Sequence, residues 1–332
     1  MNQMTDTLHW ESPAKVNLRL EILKKREDGY HEIRTIFQKI SLHDTLHFSL
    51  RQRRGVRITT DHPGLPTGKR NLVYQAVRSL LERSDYGGGV DVEIEKRIPL
   101  GAGLGGGSSN AATALAALNR LLKINLTKKE LMEMGARIGA DVPFFLFGGP
   151  AIGTGIGERL RIIELPALWY VLINPNFEVS TRWAYQHFIL TRSTGQPRSE
   201  LGSKTKPAFE GGVAKCRSGS TLSNSQPSSW GAEGLTKTKY HFNLRELLKT
   251  PVGVVSLLRN DLEDVVSGEY SDILIIKRML TSAGAMGAMM TGSGPTVFGI
   301  FPGEEKATKA YHQLKRRVRG RGWRIFQAHS IP

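Results

Sequence analysis

The residues with the clearest chemical content lie at 99–112, PLGAGLGGGSSNAA. Gly101, Gly103, Gly105, Gly106 and Gly107 stand just before a stretch of helical periodicity. Glycine lets a backbone approach a ligand closely and adopt positive φ. The helix start beyond it offers unpaired N–H groups at the positive end of the helix dipole. Ser108, Ser109 and Asn110 add hydroxyl and amide groups there. Together these residues read as a phosphate cradle. The spacing Gly101-x-Gly103-x-x-Gly106 also fits the dinucleotide fingerprint, a weak signal by itself. The strand before such a loop should be continuously apolar. Here 90–96 alternates Val92 and Ile94 with Asp91, Glu93 and Glu95. The P-loop pattern fails, because no Lys precedes Ser108. The bland alternative is a glycine-rich turn with ordinary serine capping.

Other candidates lie far away in the chain. Lys15 sits inside the apolar-flanked AKVNLRL, where a cation is costly unless it faces a site or snorkels from a strand edge. Asn17, two residues on, shares that strand face. Asp141 precedes Pro143 and the apolar run 144–147, so it reads both as a helix N-cap and as a candidate carboxylate base. Tyr30 and His31 occupy a polar turn between strands, a place suited to ligand contact. Gly292, Ser293 and Gly294 form a second glycine turn. Trp183 and Tyr185 read equally as core aromatics or as the wall of a site. Met286, Met289 and Met290 read as core.

These residues need elements to hold them. The patterns predict strands at 14–23, 35–40, 45–50, 56–60, 90–96, 169–173 and 297–301. They predict helices at 69–82, from 108 to about 122, and at 128–138 with Thr127 as cap. Further helices are expected near 243–248, 271–282 and 304–317. The segment 191–240 differs in kind: 9 Ser, 7 Gly, 6 Thr and 3 Pro make 25 of its 50 residues, and only five are Leu, Ile, Val or Phe. Such a stretch buries too little apolar surface to offset its ordering entropy, and reads as a flexible insertion.

The 332 residues suit two domains or one large α/β domain. A hydrophobic content of 39% and 23% charged residues exclude a largely disordered chain. The single cysteine, Cys216, cannot form an internal disulfide, and no Cys/His spacing fits zinc. With no signal peptide and no membrane-length apolar run, a cytoplasmic protein without membrane contact is expected. The formal charge of +16 points to an anionic partner. The insertion supplies 8 − 3 = +5 of it, and Lys315, Arg316, Arg317, Arg319, Arg321 and Arg324 supply +6. Most of the excess therefore lies outside the candidate motifs. It implies at most weak, nonspecific polyanion binding, with no nucleic acid required.

The loop 99–112, together with SPAKVNL at 12–18 and TGSGPTV at 291–297, resembles the three motifs of the GHMP kinases. The turn GYHEI at 29–33, Gln38 and GADVP at 139–143 are similar to the branch of that family that phosphorylates a cytidine-diphosphate-linked methylerythritol. The resemblance covers about 1–185 and 250–300. It implies an α+β, two-domain GHMP kinase fold. A ribosomal-protein-S5-like ATP domain would span 1–165, and a ferredoxin-like substrate domain 166–332. ATP and Mg2+ are the implied cofactors, with the magnesium held mainly by phosphate oxygens and water and no protein metal site. Monomer and homodimer are both compatible.

The resemblance also implies roles. Lys15 and Asp141 would be catalytic. Pro99, Leu100, Gly101, Ala102, Gly103, Leu104, Gly105, Gly106, Gly107, Ser108 and Ser109 would bind the nucleotide phosphates. Asn71 and Leu72 would line the adenine pocket, and Lys96 would reach the nucleotide. Asn17, Tyr30, His31, Asp141, Thr181, Tyr185, Gly292 and Ser293 would meet the acceptor substrate. Rival readings are a homoserine- or mevalonate-type kinase and a nicotinamide dinucleotide oxidoreductase.

Overall fold

Two long, alternating segments near the start of the chain pair into one extended hairpin. The computed structural model describes residues 8–193 and 245–332. The expected insertion at 191–240 lies outside the described residues beyond Ser193. β1 (Leu8–Lys25) and β2 (His31–Arg51) run antiparallel, with register shifts at Pro13/Ala14, Asn17/Arg19 and Ile22/Lys24. The strands expected at 35–40 and 45–50 are thus one element. Ser41, His43 and Asp44 break the alternation because they sit at the first of those irregularities, where Pro13 faces His43 and Ala14 faces Ile40.

β3 (Gly55–Thr60) lies parallel to β4 (Gly89–Glu95), which pairs with the far half of β2. β5 (Ala151–Thr154) pairs with the near half of β2, and β6 (Arg159–Ile162) pairs with β5. Neither β5 nor β6 is apparent in the sequence, where glycine and exposed arginine hide four-residue strands. The crossover from β3 to β4 contains α1 (Leu72–Leu81). The expected start at 69 is three residues early. Asn71 is the N-cap, and its side chain accepts from the Val73 N–H. α2 (Gly106–Leu121) starts two residues earlier than expected, straight off the left-handed turn at Gly105. Its buried Ala111, Ala112, Ala114 and Ala117 let it press closely on α1 and β1. α3 (Lys128–Ile138) carries a capping box between Thr127 and Glu130, and α4 (Val142–Phe147) follows.

β7 (Trp169–Asn174) opens a second sheet, after which α5 (Thr181–Ser193) closes the first described part. Beyond residue 245 come α6 (Pro251–Ser256), β8 (Arg259–Asn260), α7 (Glu263–Glu269) and α8 (Asp272–Ser282). Then follow β9 (Gly287–Met290), β10 (Val297–Phe301), α9 (Glu304–Arg319) and β11 (Arg324–His329). Of the helix expected near 243–248, only a single turn at 245–247 is described. The second sheet is antiparallel in the order β11-β7-β10-β9. Counted along the chain that order is 4-1-3-2, the βαββαβ ferredoxin-like arrangement. Its core packs Ile173, Ile276, Leu280, Phe301 and Leu314 against Leu20 and Ile22 of β1.

The two sheets are knitted together. β8, which comes late in the chain, adds to the first sheet parallel to β1, at Arg19↔Arg259 and Leu20↔Asn260. Met289 and Met290 are core, as expected.

Candidate active site

A cleft of about 880 Å³ runs between the glycine loop, β1 and α5. Gly101, Gly103 and Gly105 all have positive φ, so the loop folds back three times before α2. Space is equally restrictive at Gly103, where a Cβ would lie 2.2 Å from the Thr291 carbonyl oxygen. The first glycine loop therefore seats against the second, Thr291 to Gly294. The Lys15 N–H donates to Leu104 O at 3.0 Å and fixes the loop to β1.

Lys15 emerges where the two loops meet. It is 4% exposed, so it is not a snorkelling edge lysine. Its Nζ donates to Asn17 Oδ1 at 2.6 Å and Gly103 O at 3.0 Å, and lies 3.4 Å from Asp141 Oδ2. Asn17 Nδ2 donates to Thr35 Oγ1 at 2.7 Å, which leaves the amide oxygen for Lys15. Asp141 stands at the N-cap position of α4, but its side chain caps nothing and faces Lys15. A cation and a carboxylate thus share one side of the cleft.

The far end of α4 is held by two lysines. Lys39 Nζ donates to Phe145 O at 3.0 Å, and Lys128 Nζ donates to Phe147 O. Burial, with the nearby charge of Lys128, lowers the Lys39 pKa from 10.5 to about 8. At neutral pH folding must bury this cation. Between about 8 and 10.5 the folded chain is neutral there while the unfolded chain stays protonated, so stability rises with pH across that window. Lys39→Met is therefore expected to raise stability at pH 7 by about 1–3 kcal/mol. That advantage should shrink toward pH 10 in guanidinium titrations. A constant difference between the two pH values would exclude the account.

The opposite wall is aromatic. Tyr30 is 59% exposed at the mouth. His31 lies with its ring centroid 5.1 Å from that of Tyr185 and tilted by 33°. His31 Nε2 is buried without a hydrogen-bond partner. Burial and the charge of Lys25 hold the imidazole below its usual pKa, so it is neutral at pH 7 and can donate from one nitrogen and accept at the other. Burial and the charge of Asp141 push the Tyr185 phenol up, so it keeps its proton. Thr181 Oγ1 lies 2.9 Å from Ser293 Oγ, tying α5 to the second glycine turn.

Three residues expected at the nucleotide are occupied by the fold. Asn71 is buried and uses its amide on Val73 N and Pro66 O, while its neighbour Leu72 lines the cleft. Ser109 is buried and accepts from Ser12 Oγ at 2.8 Å, whereas Ser108 lines the cleft. Lys96 borders the cleft, but its ammonium pairs with Asp44 at 2.7 Å and donates to Ile98 O. Asp44 also accepts from Arg97 N and Ile98 N at 2.8 Å and from Asn110 Nδ2 at 3.0 Å. One buried carboxylate thus holds the entry to the glycine loop and the helix that leaves it. Pro99, Leu100, Gly101, Ala102, Leu104, Gly106 and Gly107 line the cleft beside Gly103 and Gly105.

Sequence reasoning missed the residues that align the two loops. Asn260 Nδ2 donates to Met290 O and Gly292 O, both at 2.8 Å. Glu263 accepts from Met290 N at 2.7 Å, and Asp261 accepts from Ile22 N at 2.9 Å. Thr291 Oγ1 accepts from Asn17 N at 2.9 Å. The run Asn260-Asp-Leu-Glu263 is polar, with one leucine, in a two-residue strand and a turn. Local composition gives it the look of a surface loop.

No group of three or more potential metal ligands occurs among the described residues, and no helix there is long and apolar enough to cross a membrane. Residues 71–149 match the GHMP kinases N terminal domain, and 245–320 match GHMP kinases C terminal. The 4-diphosphocytidyl-2-C-methyl-D-erythritol kinase of Citrifermentans bemidjiense is 41% identical over 313 residues, 94% of this chain and 95% of that protein. The protein of the same name from Syntrophus aciditrophicus is 41% identical, over 96% of this chain and 98% of its own. A solved 4-(cytidine 5'-diphospho)-2C-methyl-D-erythritol kinase superposes with a TM-score of 0.71 at 29% identity, covering 98% of this chain and all of that one. Homoserine kinase from Cytophaga hutchinsonii shares the fold, with a TM-score of 0.62 at 20% identity. Two interlocked glycine loops, a lysine facing an aspartate and near full-length kinship agree: the chain belongs to the GHMP kinases and, among them, to the 4-diphosphocytidyl-2-C-methyl-D-erythritol kinase family.

Proposed function

We propose that this chain transfers the γ-phosphoryl group of ATP to the 2-hydroxyl of 4-diphosphocytidyl-2-C-methyl-D-erythritol, giving the 2-phosphate for non-mevalonate isoprenoid synthesis. The observation that carries the mechanism is the Lys15–Asp141 pair, 3.4 Å apart, beside the loop of Gly103. The donor phosphates fit the cradle, because Gly101, Gly103 and Gly105 hold backbone conformations that leave no Cβ in the way. Leu72 and Pro99 supply apolar surface for the base.

Asp141 accepts the hydroxyl proton or orients the hydroxyl, and the freed oxygen forms its bond to the γ-phosphorus. The bond to the bridging oxygen breaks, and its electron pair leaves with ADP. Phosphoryl transfer needs positioning and charge stabilisation more than covalent chemistry. Lys15 supplies that charge, and Asn17 and Gly103 O hold its ammonium in place. Magnesium entering with ATP would supply further charge neutralisation at the donor phosphates. His31 meets the cytosine edge with its unpartnered nitrogen, and Tyr30 and Tyr185 supply ring faces. A need for ATP is compatible with the cytoplasm.

The test is incubation of the pure protein with the cytidine-linked alcohol and Mg-ATP, followed by 31P NMR. A new phosphomonoester should appear in step with ADP. Turnover of homoserine or mevalonate instead would overturn the acceptor assignment.

A further inference from the structure

Among the described residues, five charged side chains line the cleft: Lys15, Asp28, Lys96, Asp141 and Arg182. Four of them are paired. Lys15 faces Asp141, Lys96 is buried against Asp44, and Asp28 binds Arg26 at 2.8 Å. Arg182 makes no ion pair among the described residues and is exposed to the cleft. It stands in the first turn of α5, beside the Thr181 hydroxyl that meets Ser293. Three residues further along the same helix is Tyr185, against the His31 ring. Positions i and i+3 share a helix face, separated by about 4.5 Å along the axis.

This placement matters for an acceptor that is a nucleoside diphosphate ester. Its base belongs at His31 and Tyr185, and its reacting hydroxyl at Lys15 and Asp141. The diphosphate joins the two, so it must pass between them, along the first turn of α5. A dianion crossing that stretch needs a cation, and guanidinium binds phosphate oxygens bidentately. We infer that Arg182 binds the diphosphate of the acceptor and so sets the preference for a nucleoside-diphosphate-linked alcohol. This rests on the acceptor proposed above.

The test compares wild type, Arg182→Ala and Arg182→Lys, first in binding and then in turnover. Calorimetry with cytidine and with CDP reads the diphosphate contribution alone. Wild type should favour CDP, and Arg182→Ala should lose about 10- to 100-fold of that preference while cytidine binding holds. Arg182→Lys should restore part of it. In turnover, KM for the acceptor should rise with Arg182→Ala while KM for ATP stays near its wild-type value. Equal weakening of cytidine and CDP would reduce Arg182 to a wall of the base pocket and overturn the inference. An unchanged CDP preference, or a rise confined to KM for ATP, would overturn it as well. If wild type itself fails to phosphorylate the cytidine-linked alcohol, the acceptor proposal falls instead, and the comparison of CDP with cytidine still judges Arg182.

Discussion

Lys15→Met is expected to lower turnover by about 10³-fold or more, as loss of a transition-state cation does in phosphoryl transfer. The ammonium is held by three oxygens, from Asn17, Gly103 and Asp141, so its position is set before substrate arrives. Methionine fills nearly the same volume beside the Phe37 ring, and the fold should survive. Melting temperature serves as the control. The decisive comparison is with Asp141→Asn, which keeps the shape and removes the base. General-base action contributes about 10²–10⁴-fold. If the two groups act as one unit, the double variant should be little worse than the worse single variant. Strictly additive losses would show that Lys15 and Asp141 act independently. Near-normal turnover for Lys15→Met would remove the lysine from the chemistry altogether.

Asp44→Asn should be the most damaging substitution to the fold outside the apolar core. The carboxylate is fully buried and satisfies four donors. Its loss as a charge leaves the buried Lys96 ammonium without an ion-pair partner, with neutral oxygens such as the Ile98 carbonyl as its acceptors. Breaking such a pair costs about 3–5 kcal/mol. Lys96→Met should cost less, because Asp44 would keep Arg97 N, Ile98 N and Asn110 as donors. Guanidinium denaturation of both variants gives that order directly. The reverse order would mean that the lysine, not the carboxylate, organises the site. Because the same carboxylate holds both ends of the glycine loop, KM for ATP should also rise in Asp44→Asn protein that remains folded.

How much of this was legible without coordinates depends on the kind of signal. The glycine loop was plain, because close backbone approach and positive φ leave few substitutes for glycine. Lys15 was legible as a charge in the wrong place, and the helix from 128 by its Thr127 cap. Asp44 was hidden, since a carboxylate serving four distant donors looks like any loop aspartate. Lys96 and Ser109 carry suitable chemistry and stand beside the loop, yet their polar atoms turn inward to Asp44 and Ser12. Side-chain direction at a bend is fixed by tertiary packing, and neither period nor composition encodes it. β5, β6 and β8 have four, four and two residues, too few for a period to show.

The late arrival of β8 has a consequence for how the enzyme is made. A chain emerging from the ribosome exposes Lys15, the glycine loop and Asp141 long before Asn260 and Thr291. Until then no clamp holds the second turn against Gly103, and Asn17 N lacks its Thr291 hydroxyl. Nascent chains therefore carry the reactive groups without the alignment that makes them a machine. Until residues 260–294 are made, Lys15 and Asp141 lack the second glycine turn against which Gly103 is seated.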